Sequence, residues 1–254
     1  MVARMNTHMD INADLGELST ANDAALMPYL SSANIACGFH AGSLERMQDT
    51  VALCLQYGVA IGAHPSYRDR AYFGRRETGI SAEEIYAITR EQIDALNDIA
   101  KAQNTALRHV KAHGALYNRC ATDIDAAEAL ARAIHDSDPS LILVGLANSE
   151  MLTAGRAMGL RVVSEGFADR RYTPDGRLQP RTLTDALIDD EHEAIAQVLQ
   201  MLELGTVQAV DGSTVALRID TVCVHGDGPQ ALAFVQALHL ALSEKNIRIS
   251  SELV

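Results

Sequence analysis

The chain has 254 residues, 48% of them hydrophobic and 21% charged, with 17 Gly and 6 Pro. This composition describes a globular protein with material for a large core and excludes a disordered, collagen-like or Pro-rich linker chain. Lys and Arg number 21 against 33 Asp and Glu, a net charge of −12 that argues against nucleic acid or an anionic membrane surface as partner.

In chain order, short apolar runs alternate with amphipathic stretches. Strand-like runs fall at 9–13, 33–37, 59–63, 107–111, 141–145, 161–164 and 221–224. Helical patterns occupy most of the intervals, at 43–57, 81–103, 123–135, 149–158, 189–204 and 229–245. Leu44, Met47, Val51 and Leu55 keep a helical spacing that stops at Gly58, and Ser81 with Glu84 makes a capping box. Before the last strand, Asp211-Gly212 separates 207–210 from 214–217, the sequence signature of a β-hairpin. The alternation predicts one parallel α/β domain over residues 1–254. No Gly-rich phosphate loop follows any strand, so a closed seven-stranded β/α barrel with an inserted hairpin is favoured over an open nucleotide-binding sheet. No apolar run reaches the roughly 18–20 residues of a membrane span. The N-terminus has no signal-type apolar segment, and Cys37, Cys54, Cys120 and Cys223 make no C-x-x-C pair. A cytoplasmic chain with reduced thiols is expected.

Polar residues gather where the strands end. Asp14 follows the first, His40 the second, His64 the third, His113 the fourth, Glu165 the sixth and His225 the seventh. In a barrel these exits converge on one mouth. Imidazoles there can donate, accept or ligate a metal, and carboxylates can orient them, act as bases or complete a metal site. Lys111 lies two residues before His113 and shares its inward face. It is expected as an oxyanion stabiliser, a desolvated base, or a cation snorkelling to the rim. Asp14, His40, His64 and His113 could hold zinc or another divalent ion, or work as hydrogen-bonding groups without one. Arg75 and Arg76, and Arg170 farther on, suit a carboxylate or phosphate, or ion pairing with nearby Asp. Zero Trp and 4% aromatic residues leave little for a sugar groove. His8, His109, His135, His192 and His239 lie off the strand exits and are read as structural.

Seven stretches together resemble the LamB/YcsF family: 10–17 (DINADLGE), 31–42 (SSANIACGFHAG), 62–67 (GAHPSY), 73–76 (FGRR), 109–118 (HVKAHGALYN), 167–176 (FADRRYTPDG) and 222–227 (VCVHGD). The resemblance implies a β/α barrel like that of glycoside hydrolases and polysaccharide deacetylases. It implies ATP-dependent hydrolytic opening of 5-oxoproline to L-glutamate, together with 5-oxoprolinase subunits B and C. With no phosphate loop here, the ATP step is expected on a partner, and this chain is expected to receive a phosphorylated lactam. A histidine oriented by Asp14 or Glu165 would activate water, and Lys111 and His113 would stabilise the adduct. Arg75 or Arg76 would grip the substrate. Asn12, Tyr117, Arg170 and Asp227 are further expected substrate contacts. The competing expectations are a metal-dependent deacetylase-like amidohydrolase and a non-catalytic subunit binding a small acid.

Overall fold

The computed structural model describes residues 8–18, 20–224 and 231–251. In chain order its elements are β1 (His8–Leu15), α1 (Thr20–Leu26), β2 (Ser32–Ala36), α2 (Leu44–Tyr57), β3 (Ala60–His64), α3 (Ala82–Ala102), β4 (His109–Val110), α4 (Gly114–Cys120) and α5 (Ile124–Ser137). They continue with β5 (Ile142–Leu146), α6 (Glu150–Ala157), β6 (Val162–Phe167), α7 (Glu191–Leu204), β7 (Thr206–Gln208), β8 (Thr214–Ala216), β9 (Thr221–Cys223), α8 (Ala231–Glu244) and β10 (Arg248–Ile249). Among the described residues, no helix is long and apolar enough to cross a membrane.

The sheet runs β1-β2-β3-β4-β5-β6-β9, all parallel, and closes because β9 pairs with β6 on one side and β1 on the other. This is the expected seven-stranded barrel. β7 and β8 form the expected antiparallel hairpin outside it, with Val207 opposite Val215. β10 pairs with the start of β1. Capping follows the sequence: the Ser43 hydroxyl accepts from the Arg46 amide to start α2, which ends at Gly58 with φ +69°. Ser81 and Glu84 form the reciprocal box that starts α3.

The strands sort their side chains by the two-residue period. On β1, Met9, Ile11, Ala13 and Leu15 join the apolar core, while Asp10, Asn12 and Asp14 alternate with them. The alternate set enters the barrel lumen, which is filled by hydrogen-bonded polar groups. At the bottom, Asp10 accepts from the hydroxyls of Ser31 (2.6 Å) and Ser32 (2.8 Å) and from Thr221. Burial raises the Asp10 pKa, against the hydroxyl bonds that lower it. One layer up, Asn12 donates to Glu165 Oε1 (3.0 Å), Asn34 donates to Asn12 Oδ1 (2.8 Å), and His109 Nε2 sits 2.9 Å from Asn34 Oδ1. His109 occupies the space a side chain at Gly62 would need, since a Cβ there would lie 2.1 Å from its Nε2. A filled polar lumen leaves the strand C-terminal rim as the exposed face of the barrel axis.

Candidate active site at the barrel mouth

Above this stack, β4 delivers Lys111 into the centre of the rim. Its Nζ lies 2.8 Å from Glu165 Oε1, 3.1 Å from Asp14 Oδ1, 3.1 Å from Asn12 Oδ1 and 3.1 Å from Cys223 Sγ. Lys111 is 2% exposed, so its head points inward and does not snorkel to solvent. Burial works to lower its pKa, but Asp14, Cys223 and Glu165 outweigh burial and hold it well above the ordinary lysine value. It is therefore a cation at neutral pH, the form that suits stabilisation of developing negative charge. Tyr117, on α4, donates its phenol hydrogen to the other oxygen of Glu165 at 2.7 Å. Burial, then the Glu165 charge, keeps that phenol protonated, with its pKa well above normal.

Beside the lysine stand three histidines from consecutive exits. His64 Nε2 is 3.2 Å from Asp14 Oδ2 and 2.9 Å from His113 Nδ1. His40 stacks on His113 with ring centroids 3.9 Å apart and planes 8° off parallel. Burial, followed by the neighbouring His64 charge, pulls the His40 pKa down to about 3. Burial and the charges of His40 and His64 likewise hold His113 well below the usual value. Glu17 reaches the same group, with Oε1 2.8 Å from His40 Nε2 and 3.5 Å from His113 Nδ1. The loop after β3 seals the cluster: the Phe73 carbonyl accepts from His113 Nε2 at 2.9 Å. Phe73 itself has φ +55°, and Gly74 follows at φ +64°, where a Cβ would lie 2.9 Å from His40 Cβ and 3.0 Å from His113 Cδ2. The FGRR motif thus holds a glycine whose missing side chain admits the histidine stack.

A cavity of about 370 Å³ opens over these groups, lined on one wall by Asp14, Glu17, His64, Lys111 and His113. The irregular segment after β6 contributes Arg170, Leu178 and Arg181 to the lining, and the loop after β3 contributes Arg75. Arg170 donates to the Gln179 carbonyl at 2.6 Å, and burial lowers its pKa to about 10.

The structure therefore brings Asp14, His40, His64, Lys111, His113, Glu165, Asn12 and Tyr117 into one connected group, with Arg75 and Arg170 on the cavity wall. Arg76 does not join them: it pairs with Asp69 at 3.3 Å and covers the Tyr72 ring. His225 and Asp227 lie outside the described residues. Glu17, Asn34 and Cys223 belong to the group but do not stand out in the sequence. Asn34 and Cys223 sit within strand runs, and only their inward register marks them. Glu17 lies three residues past Asp14, beyond a turn at Gly16 with φ +72°.

The profile of the LamB/YcsF family matches residues 9–253. A Bordetella parapertussis protein named as the 5-oxoprolinase A-subunit is 49% identical over 251 residues, covering 97% of this chain and 100% of the relative. A Bordetella bronchiseptica protein named as 5-oxoprolinase A-subunit 1 matches equally, at 49% over 97% of this chain and 100% of its own length. The crystal structure of a lactam utilization protein from Thermus thermophilus superposes with a TM-score of 0.89 at 42% identity, covering 96% of this chain and 99% of that one. A putative cellobiose-phosphate cleavage protein from Enterococcus faecalis V583 shares the fold, with a TM-score of 0.59 at 14% identity, covering 96% of this chain and 97% of that one.

Proposed function

The chain belongs to the LamB/YcsF family, and from that membership we propose that it opens the ring of 5-oxoproline to give L-glutamate, as one component of an ATP-consuming 5-oxoprolinase. The observation that carries this reading is the Lys111 cation held between Asp14 and Glu165 on the wall of a small cavity that His64, His113, Arg75, Arg170 and Arg181 also line. A five-membered lactam is a poor electrophile and its ring recloses readily. Phosphorylation of the amide oxygen makes the ring carbon electrophilic, and the reading gives that ATP step to partner subunits B and C.

This chain then receives the activated ring. Water adds to the ring carbon and gives a proton to Asp14 Oδ2, which His64 flanks at 3.2 Å. The C–N bond breaks, the nitrogen takes a proton, and the acyl phosphate left behind is hydrolysed to glutamate and phosphate. Lys111 stabilises negative charge on the tetrahedral adduct and, already desolvated and fixed by four partners, needs no reorganisation to do so. Tyr117 fixes the Glu165 carboxylate that orients Lys111. Arg75 and Arg170 are placed to meet the substrate carboxylate or the phosphoryl group.

The test is reconstitution. The chain is purified with its partner subunits and supplied with ATP and 5-oxoproline, and glutamate is measured. Glutamate release that requires this chain and falls about 100-fold or more with Lys111→Met in the assembled complex supports the reading. Full release without the chain, or with the variant, overturns it.

A further inference from the structure

The three histidines carry an unresolved hydrogen-bonding problem. Each uses one ring nitrogen on an outer partner. His64 Nδ1 is 2.7 Å from the Lys111 carbonyl, and His113 Nε2 is 2.9 Å from the Phe73 carbonyl. A carbonyl only accepts, so both nitrogens carry hydrogen. His40 Nδ1 is 2.9 Å from Ser66 Oγ, whose own hydrogen goes to the Tyr67 carbonyl at 2.9 Å, so His40 Nδ1 also donates. In a neutral imidazole the remaining nitrogen is then a bare lone pair. Those lone pairs, on His40 Nε2, His64 Nε2 and His113 Nδ1, all turn inward. His64 Nε2 and His113 Nδ1 face each other at 2.9 Å, and Glu17 Oε1 lies 2.8 Å from His40 Nε2. Four acceptor atoms, all within 4.8 Å of one another, share one point in a buried site.

We propose that Glu17, His40, His64 and His113 form a binding site for one divalent transition-metal ion of the zinc type. A cation at the shared point turns mutual repulsion of lone pairs into ligation. The donor set is three imidazole nitrogens and one carboxylate oxygen, which suits zinc-like ions and not the hard magnesium or calcium ions. Tetrahedral bonds of about 2.05 Å put ligand atoms about 3.3 Å apart. The observed separations of 2.8, 2.9 and 3.5 Å, with none beyond 4.8 Å, bracket that value. The outer shell is the kind that fixes metal-binding histidines: each ring's distal N–H is anchored to a carbonyl or hydroxyl. Glu17, His64 and His113 also line the cavity, so a bound ion faces whatever occupies it. Such an ion would supply Lewis-acid polarisation or an acidified water. The site stands on its own geometry and does not depend on the lactam reading.

The test is binding, not turnover. The full chain is stripped with chelator, checked for an unchanged fold by circular dichroism, and titrated with Zn2+ and separately with Mg2+ by calorimetry, with metal content measured after dialysis. One equivalent of Zn2+ retained in preference to Mg2+ is expected. Affinity should fall at least about 100-fold in Glu17→Gln and His64→Asn, and about 10-fold in Ser66→Ala, which touches no ion but removes the acceptor of His40 Nδ1 together with its own bond to the Tyr67 carbonyl. Failure of the folded chain to take up Zn2+, with imidazole 15N shifts showing a proton lodged between His64 and His113, overturns the proposal. So does Zn2+ uptake undiminished in Glu17→Gln and His64→Asn, or tighter binding of Mg2+.

Discussion

Replacing Lys111 by Met removes the cation held among Asp14, Glu165 and Asn12 while nearly keeping its volume. At an effective dielectric of about 20, its contacts at 2.8 and 3.1 Å to Glu165 and Asp14 are each worth about 5–6 kcal/mol of gross Coulomb attraction. The ammonium's own burial penalty, several kcal/mol, is relieved by the substitution. The net loss is about 3–5 kcal/mol, the range for a buried pair deprived of one partner. It should appear as a lower urea midpoint at pH 7.5 with an unchanged slope. Lys111→Met combined with Glu165→Gln leaves fewer unpaired charges and should recover part of the loss, giving a clear coupling energy in a double-mutant cycle. Because the Lys111 pKa is raised, its stabilisation is fully present below the unfolded lysine value and is lost only as pH rises through the still higher folded value. The deficit of the single variant should therefore persist unchanged from pH 7 to pH 9. A deficit under about 1 kcal/mol, or strict additivity in the cycle, would refute the reasoning.

Gly74→Ala forces a Cβ onto His40 and His113 at a positive φ, and should cost about 2–3 kcal/mol in a urea titration. Tyr117→Phe removes the 2.7 Å bond to Glu165 and should cost about 1.5–3 kcal/mol, measured the same way. His40 and His109 both have pKa values pulled down to about 3 by burial. They bind protons when unfolded but not when folded, so stability is present above the unfolded histidine value and falls as pH drops below it. In the chelator-treated chain, each should contribute a loss of about 1.4 kcal/mol between pH 7.5 and pH 5.5. A urea midpoint unchanged over that interval would contradict the buried neutral assignment.

The strands were legible because buried parallel strands concentrate β-branched residues between turn signals, and the hairpin because Asp211-Gly212 fits its turn. Strand β4 is read as 107–111 but its ladder spans only His109–Val110; single backbone bonds from Arg108 and Lys111 to β3 continue the contact on either side. Helix α4 leaves no mark in the sequence because it begins directly behind His113, which makes no side-chain cap, with Gly114 at φ +57°. Helix α1 and strand β10 are too short to show a period. At the site, His40, His64, Lys111 and His113 could be read because each stands at a strand exit. Arg75 and Arg76 are indistinguishable by sequence, and only the turn at Gly74 sends one to the cavity and the other to Asp69. The polar lumen was hidden because Asn34 and Cys223 sit inside apolar runs, where only register separates inward from outward.

The proposed division of labour between this cavity and ATP-consuming partner subunits is tested most directly by the ratio of glutamate formed to ADP formed in a complex carrying Asp14→Asn. In the proposed mechanism Asp14, which touches both Lys111 and His64, serves ring opening and not the ATP step. The account predicts that ADP still forms while the ratio falls about 100-fold. A ratio equal to that of the unaltered complex would contradict it.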